Sequence, residues 1–285
     1  MTNPTLIRAS VDGVTLLWDE NVPCGVTLAF TERGGGVSEG GYASLNLGDA
    51  CGDDPLLVHE NRRRVLAAMG CGDLLERLVN PRQVHGDHVV TITSGDDASV
   101  AIARAEAGVG ADAVVCTAPD VPVLLCYADC VPVIEVAPGG FAVVHSGWRG
   151  TMARISEKAA HVLMDATGAS PDELVAYVGP HVGVDDYEVS QELLDRFVAE
   201  FGDCVQGGGR HLDLSSAVCA ALGGAGVTAE HIVACDVSTA QATDRFYSYR
   251  ASGGDCGRHG ALACMRREDG SRLVDTFAKM SCQRS

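Results

Sequence analysis

The sequence predicts a single α+β domain built on a mixed β-sheet, and three observations carry that expectation. Strand-like segments come in runs with helical stretches placed singly between them, the order of α+β proteins rather than of a doubly wound nucleotide fold. Apolar residues make up 46% of the chain and charged ones 21%, enough to bury a sizeable core and too apolar for disorder. No internal repeat, low-complexity tract or convincing linker divides residues 1–285, so one domain spans them.

The elements follow in order. Strands over 6–11 and 14–18 meet at Asp12-Gly13 as a hairpin. A strand at 25–30 runs into the stretch from Arg33 to Gly41, which is too glycine-rich for regular structure. Asp54 and Pro55 are the cap and first residue of a helix that reaches Met69 and stops at Gly70. Strand-like segments come next at 83–93, 111–117, 121–127, 131–136 and 141–145. The longest helical pattern starts at Arg149, runs to about Ala166 and ends near Gly168. A strand at 174–179, a helix at 191–201 begun by Ser190, another helix near 214–222 and a strand at 232–237 complete the order.

A formal charge of −17 argues against nucleic acid as a partner, because phosphate contacts need a basic face. It leaves room for a small anion or nucleoside held by a few local arginines. Arg62-Arg63-Arg64 is the one basic run, and on a helix it reads as a solvated face. The first residues, Met1-Thr2-Asn3-Pro4, form neither a basic nor an apolar leader, and no segment reaches about 18 uninterrupted apolar residues. The expectation is a cytoplasmic protein with no membrane partner, whose twelve cysteines stay reduced. None of them forms a CxxC pair, so zinc-ribbon and thioredoxin-like motifs are excluded.

Two motifs mislead. Gly108-Val109-Gly110-Ala111-Asp112-Ala113 matches a dinucleotide fingerprint, but that motif works after a strand and at a helix start, and here a strand follows it. His85 and His88 look like a metal pair, yet residues three apart on a regular strand face opposite sides, which makes His88 a surface residue.

Reactive side chains cluster at the ends of expected strands. They lie in Gln83-Val84-His85-Gly86, in Tyr127-Ala128-Asp129-Cys130-Val131-Pro132 and in Val144-His145-Ser146-Gly147-Trp148-Arg149-Gly150. A hairpin turning at Pro138-Gly139-Gly140 has arms of matched length and returns His145 to the end that holds Cys130. Pro132 is expected to interrupt pairing just after Cys130, exposing the site at an edge. A Cys beside a His serves as an ion-pair-activated nucleophile or, with a third ligand, as part of an open zinc site. Spacing alone leaves both uses open, along with a purely structural pair.

Seven segments together resemble one known family. They are Phe30–Ser38, Tyr42–Gly48, Gln83–Gly86, Ala128–Pro132, His145–Gly150, Gly179-Pro180 and Phe246–Arg250, in order along nearly the whole chain. That family is YfiH/YlmD, also called the laccase-domain or polyphenol-oxidase family, which includes purine nucleoside phosphorylase-type enzymes and the human protein FAMIN. The resemblance implies a mixed β-sandwich flanked by helices. It also implies that His85, Cys130 and His145 ligate zinc, a site that copper can occupy in vitro. Arg33, Ser38, Asn46, Gln83 and Arg149 match positions that would line a substrate site, and Asp129 matches one with a catalytic role. Two departures stand out: the hairpin between Cys130 and His145 is two residues short, which keeps side-chain faces in register, and Asp185-Asp186 replaces a Cys pair.

The implied activity is phosphorolysis of purine nucleosides, methylthioadenosine included, together with deamination of adenosine. Nucleoside and phosphate are then the partners, with Arg33 or Arg149 holding phosphate. A copper-dependent polyphenol oxidase fits less well, because multicopper sites use paired His-x-His strings and the nine histidines form none. A Cys130–His145 thiol hydrolase or amidase acting on cell-wall precursors, oriented by Asp129 or His85, is one alternative. A non-enzymatic metal-binding partner module is the other.

Overall fold

Residues 3–267 are described by the computed structural model. β1 (Ile7–Val11) and β2 (Val14–Trp18) form the opening hairpin, and β3 (Val26–Thr31) follows. Next come α1 (Pro55–Ala68), β4 (Val89–Ile92), α2 (Asp97–Val109) and β5 (Ala113–Cys116). β6 (Val123–Tyr127), β7 (Val131–Ala137) and β8 (Gly140–Ser146) lead to α3 (Trp148–Met152) and α4 (Ile155–Thr167). The chain continues through β9 (Val175–Val178), α5 (Gln191–Phe201), α6 (Leu214–Gly224), β10 (Ile232–Ala234), α7 (Tyr249–Ser252) and β11 (His259–Met265).

These strands make two sheets. One is antiparallel, in the order β1-β2-β3-β11-β6; the other is mixed, in the order β10-β9-β7-β8-β5-β4. In the mixed sheet β10 runs parallel to β9 and β4 to β5, while the remaining pairs are antiparallel. Strand alternation sends Leu28, Phe30, Leu125 and Ala261 from the first sheet against Ile134, Val136, Phe141 and Val143 from the second. The opposite face of the mixed sheet, with Val131, Val133 and Val144, packs on Ala159 and Leu163 of α4 and Val218 of α6. The outer face of the antiparallel sheet, with Leu16 and Leu262, packs on Val65 and Leu66 of α1. The result is the helix-flanked sandwich.

Local chemistry accounts for the helix ends. Asp54 accepts from the Leu56 N–H at 2.8 Å, Pro55 occupies the first turn, and Gly70 takes a positive φ of 74° just past the end. Arg63 and Arg64 both pair with Glu60 on α1, as a solvated charged face requires. Among the described residues no helix is long and apolar enough to cross a membrane.

Several expectations need correction. Residues 83–88 are loop, and only Val89–Ile92 of the expected strand at 83–93 is paired. The helical pattern from Arg149 is two helices, broken where Arg154 adopts a φ of 56°. Pro132 does not interrupt pairing: it is the second residue of β7, opposite His145, and its carbonyl accepts from the Gly179 N–H. The residue pattern also misses α2 and β11. The mixed sheet is present, but β11 pairs with β3 and β6 to complete a second sheet that local periodicity does not display.

Candidate functional site

The candidate site forms where the chain crosses from one sheet to the other. β6 ends the antiparallel sheet at Tyr127 and β7 begins in the mixed sheet at Val131, so Ala128, Asp129 and Cys130 bridge the two layers. Asp129 makes the corner with a φ of 86°. Its carboxylate accepts from Thr239 Oγ1 and from the Arg250 N–H, both at 2.7 Å, which fixes the corner to a distant loop and to the start of α7. His145 comes from the neighbouring β8, opposite Pro132 and on the face shared with Phe141 and Val143, so its buried ring lies in the inter-sheet layer beside Tyr127.

His85 reaches the same place from the loop before β4, and Asp112 brings it there. The buried Asp112 carboxylate accepts backbone N–H groups from Val84 (3.2 Å), His85 (2.9 Å) and Gly86 (2.7 Å), holding His85 at a φ of 58°. The same carboxylate accepts from His145 Nδ1 at 2.8 Å, while the His145 backbone N–H donates to the Asp112 carbonyl at 2.7 Å. One acidic side chain therefore orients both histidines. The donor atoms of His85, Cys130 and His145 all lie within 4.8 Å of one another, and the two imidazoles meet edge-on with centroids 4.8 Å apart. Gly147 faces this cluster, where a Cβ would lie 3.0 Å from His85 Cδ2 and 3.2 Å from Cys130 Sγ.

Electrostatics match the geometry. Burial pushes the Cys130 thiol up, but the His145 charge and hydrogen bonds from His145 and His85 outweigh it and bring the thiol down to about 6. Burial pulls His145 down, yet the Cys130 charge and the Asp112 hydrogen bond raise it to about 9. Asp112 is raised by burial and lowered more by its bond to His145 and by the N–H groups of Gly86 and Val84, so its net shift is downward.

The donor set suits a metal. With Nδ1–H given to Asp112, His145 turns Nε2 toward the cluster, the carboxylate–histidine arrangement that fixes a ligating tautomer. Tetrahedral bonds of about 2.0–2.3 Å set donors roughly 3.5 Å apart, so a closing movement of about an ångström brings all three onto one ion. Among the described residues this is the one cluster of three such donors. The cluster opens into a cavity of about 1020 Å³ whose wall also includes Arg82, Gln83, Asp129, Tyr187, Tyr249 and Arg250.

The expected substrate residues divide sharply. Gln83 lines the cavity and exchanges two 2.8 Å hydrogen bonds with the Cys126 backbone. Arg33, Ser38 and Asn46 lie outside the cavity wall. Arg33 spends its guanidinium on the Ala43 and Thr243 carbonyls and stacks on Tyr247. Ser38 and Asn46 both donate to Asp53, at 2.6 and 2.9 Å. Arg149 is exposed and stacks on Trp148 instead of facing the cavity. Sequence reasoning missed Asp112, although it sits in the discounted glycine motif, and gave no role to Arg82, Tyr187, Tyr249, Arg250 or Arg258. His88 is a surface residue, exposed and 3.0 Å from Glu106.

Fold and site together define a helix-flanked β-sandwich with, among the described residues, one Cys-His-His cluster in the wall of a cavity. The chain belongs to the multi-copper polyphenol oxidoreductase laccase family, the family of YfiH and YlmD, whose model matches residues 27–266. A purine nucleoside phosphorylase of Deinococcus radiodurans is 38% identical over 264 residues, covering 90% of this chain and 96% of that one. Adenosine deaminase RL5, from an unknown prokaryotic organism, is 36% identical over 82% of this chain and 92% of its own length. The crystal structure of YlmD from Geobacillus stearothermophilus superposes with a TM-score of 0.81 at 29% identity, covering 93% of this chain and all of that one.

Proposed function

We propose that this protein is a zinc-dependent purine nucleoside phosphorylase that also deaminates adenosine and accepts methylthioadenosine. The observation that carries the reading is the convergence of His85, Cys130 and His145, oriented by Asp112, on the floor of a cavity large enough for a nucleoside. The names of the similar enzymes support the choice of purine nucleosides. When bound, zinc supplies Lewis acidity toward water and substrate. The chain's own part is to hold that centre and shape the pocket. Asp112 keeps the proton of His145 on Nδ1, and the Cys130 thiolate contributes the single negative charge of the donor set. Tyr187 and Tyr249 offer ring faces to a purine, while Asp129 fixes the start of α7, which carries Arg250. One thiolate and two imidazoles are a poor match to a multicopper oxidase, which needs several imidazole-rich centres.

A second reading has one specific observation in its favour. Cys130, His145 and Asp112 are also arranged as nucleophile, base and orienting carboxylate, with Asp112 in the place that Asp129 or His85 was expected to fill. The decisive experiment is product analysis. Adenosine with phosphate is expected to yield free base and ribose 1-phosphate, and adenosine without phosphate only inosine. Base release at equal rates with and without phosphate would make the enzyme a hydrolase and end the phosphorylase reading.

A further inference from the structure

The chain has 38 acidic residues against 21 basic ones, and many of its arginines are neutralised. Arg8 and Arg245 share Glu32, Arg63 and Arg64 share Glu60, and Arg62 pairs with Asp49. Arg82, Arg250 and Arg258 differ. All three line the cavity, and among the described residues none of them forms an ion pair. The carboxylates on the cavity wall are already engaged, Asp49 by Arg62 and Asp129 by Thr239 and the Arg250 N–H.

Arg250 and Arg258 are also held in place. The Arg250 guanidinium lies 4.8 Å from the Tyr187 ring centroid, with Nη1 donating to the Glu188 carbonyl at 3.2 Å, while the Glu188 carboxylate is occupied by Arg210. The Arg258 guanidinium lies 5.9 Å from the Tyr249 ring centroid, with Nη1 donating to the carbonyls of Cys256 at 2.6 Å and Gly257 at 2.9 Å. In both residues the Nε and Nη2 groups have no acceptor among the described residues. That edge of a guanidinium binds phosphate oxygens in a bidentate fashion. In Arg33 the same edge is spent on the Ala43 carbonyl.

We infer that Arg250 and Arg258 form the oxyanion subsite of the cavity and that its occupant is inorganic phosphate, the co-substrate. The inference rests on the phosphorylase reading and assigns its phosphate to residues other than Arg33 and Arg149. A phosphate oxygen forms a bond to the ribose C1′ as the C1′–N9 bond breaks. The bonding pair leaves with the purine, which takes up the proton that hydrogen phosphate gives up as its oxygen bonds to C1′, giving ribose 1-phosphate and free base. Arg82, exposed and unstacked, is not needed for this subsite.

The test compares Arg250→Gln and Arg258→Gln with the wild-type zinc-loaded enzyme. Calorimetry with inorganic phosphate should show binding weakened about 10- to 100-fold in each variant, the loss of charged hydrogen bonds. The KM for phosphate should rise by a similar factor, with partial recovery in Arg250→Lys, and should rise far more than the KM for adenosine in phosphate-free deamination. Phosphorolysis in the wild type with an unchanged KM for phosphate in both variants overturns the subsite and leaves the phosphorylase reading standing. Arginine-dependent phosphate binding without phosphorolysis supports the subsite and overturns the reading. Parallel loss of deamination and phosphorolysis overturns the subsite in favour of a structural role. AMP binding through these arginines while inorganic phosphate does not bind overturns the choice of occupant.

Discussion

The loop that carries Arg33, Ser38 and Asn46 and the crossover that carries Cys130, with His145 beside it on β8, are both dense in polar side chains, yet they differ in what remains of their bonding capacity. Asn46 donates to Gly48 and Asp53 and accepts from the Gly48 and Arg258 N–H groups, so its amide is saturated by its own chain. Ser38 donates to Asp53 and accepts from Asn61, and Arg33 is filled by carbonyls. At the crossover the donors of His85, Cys130 and His145 face one another and a cavity. A saturated network specifies a backbone path; an open one awaits a ligand. Residue type alone does not separate them, because Ser, Asn and Arg serve either purpose.

The strongest way to break this comparison is to remove a donor from the open cluster. Cys130→Ser supplies a hydroxyl that does not ionise near neutral pH, and His85→Ala removes an imidazole that is exposed and carries no core packing. Both variants are expected to stay folded, to lose zinc and to lose nucleoside turnover by more than the roughly 10- to 100-fold typical of outer-shell changes. Elemental analysis, melting and turnover on the same samples check this. An active His85→Ala beside an inactive Cys130→Ser would replace the metal centre with the Cys130–His145–Asp112 arrangement.

A smaller effect sharpens the same contrast in metal-free protein. The Cys130 thiol is brought from an ordinary 9 to about 6, so the thiolate persists as pH falls until it is protonated near 6. His145, raised to about 9, stays protonated beside it. Between about 6.5 and 9 the folded pair holds one proton, on His145. The unfolded chain also holds one, on the thiol, so the pair adds little pH dependence to stability in that window. Below about 6 both states hold two protons, since the folded thiolate protonates near 6 and the unfolded imidazole near 6.5, so the pair's net contribution stays small there too. Alkylation of Cys130 should therefore follow a midpoint near 6, and zinc should suppress it. A midpoint near 9 would mean that the imidazoles do not act on the thiol. Asp112→Asn should move the midpoint upward, because His145 loses the carboxylate that supports its charge.

Much of this fold was legible in the sequence, for reasons that are local. The Asp12-Gly13 turn, the Asp54-Pro55 helix start and the Ser190 cap each act within a few residues, and the elements they bound match within a residue or two. The opposed arms of β7 and β8 also followed from the turn between them. The failures are non-local or strained. Residues 83–88 look like strand by composition, but Asp112 draws three consecutive N–H groups from 84–86 into a bend. Asp112 stood in a motif discounted as a cofactor fingerprint, and its real partner is 33 residues away on another strand. Arg250 enters the cavity wall on α7 and Arg258 immediately before β11, two elements that the periodicity hides.

The smallest expected effects lie on the saturated side. Asn46→Ala leaves the Arg258 and Gly48 N–H groups without an acceptor in a buried setting and removes one of the two side-chain donors to Asp53, so it should cost about 1–3 kcal/mol by denaturant unfolding. Arg149→Ala should cost no more than about 0.5–1 kcal/mol, since it removes one exposed guanidinium stacked 4.7 Å from the Trp148 ring centroid. The informative measurement for Arg149→Ala is kinetic: the KM for phosphate should stay within about 2-fold of wild type, because this guanidinium faces solvent rather than the cavity. A rise of about tenfold or more would mean that the helix start after Gly147 bends to deliver Arg149 to the substrate. The division would then be drawn by which elements can close over the site, and saturation in the resting structure would no longer decide which arginine binds.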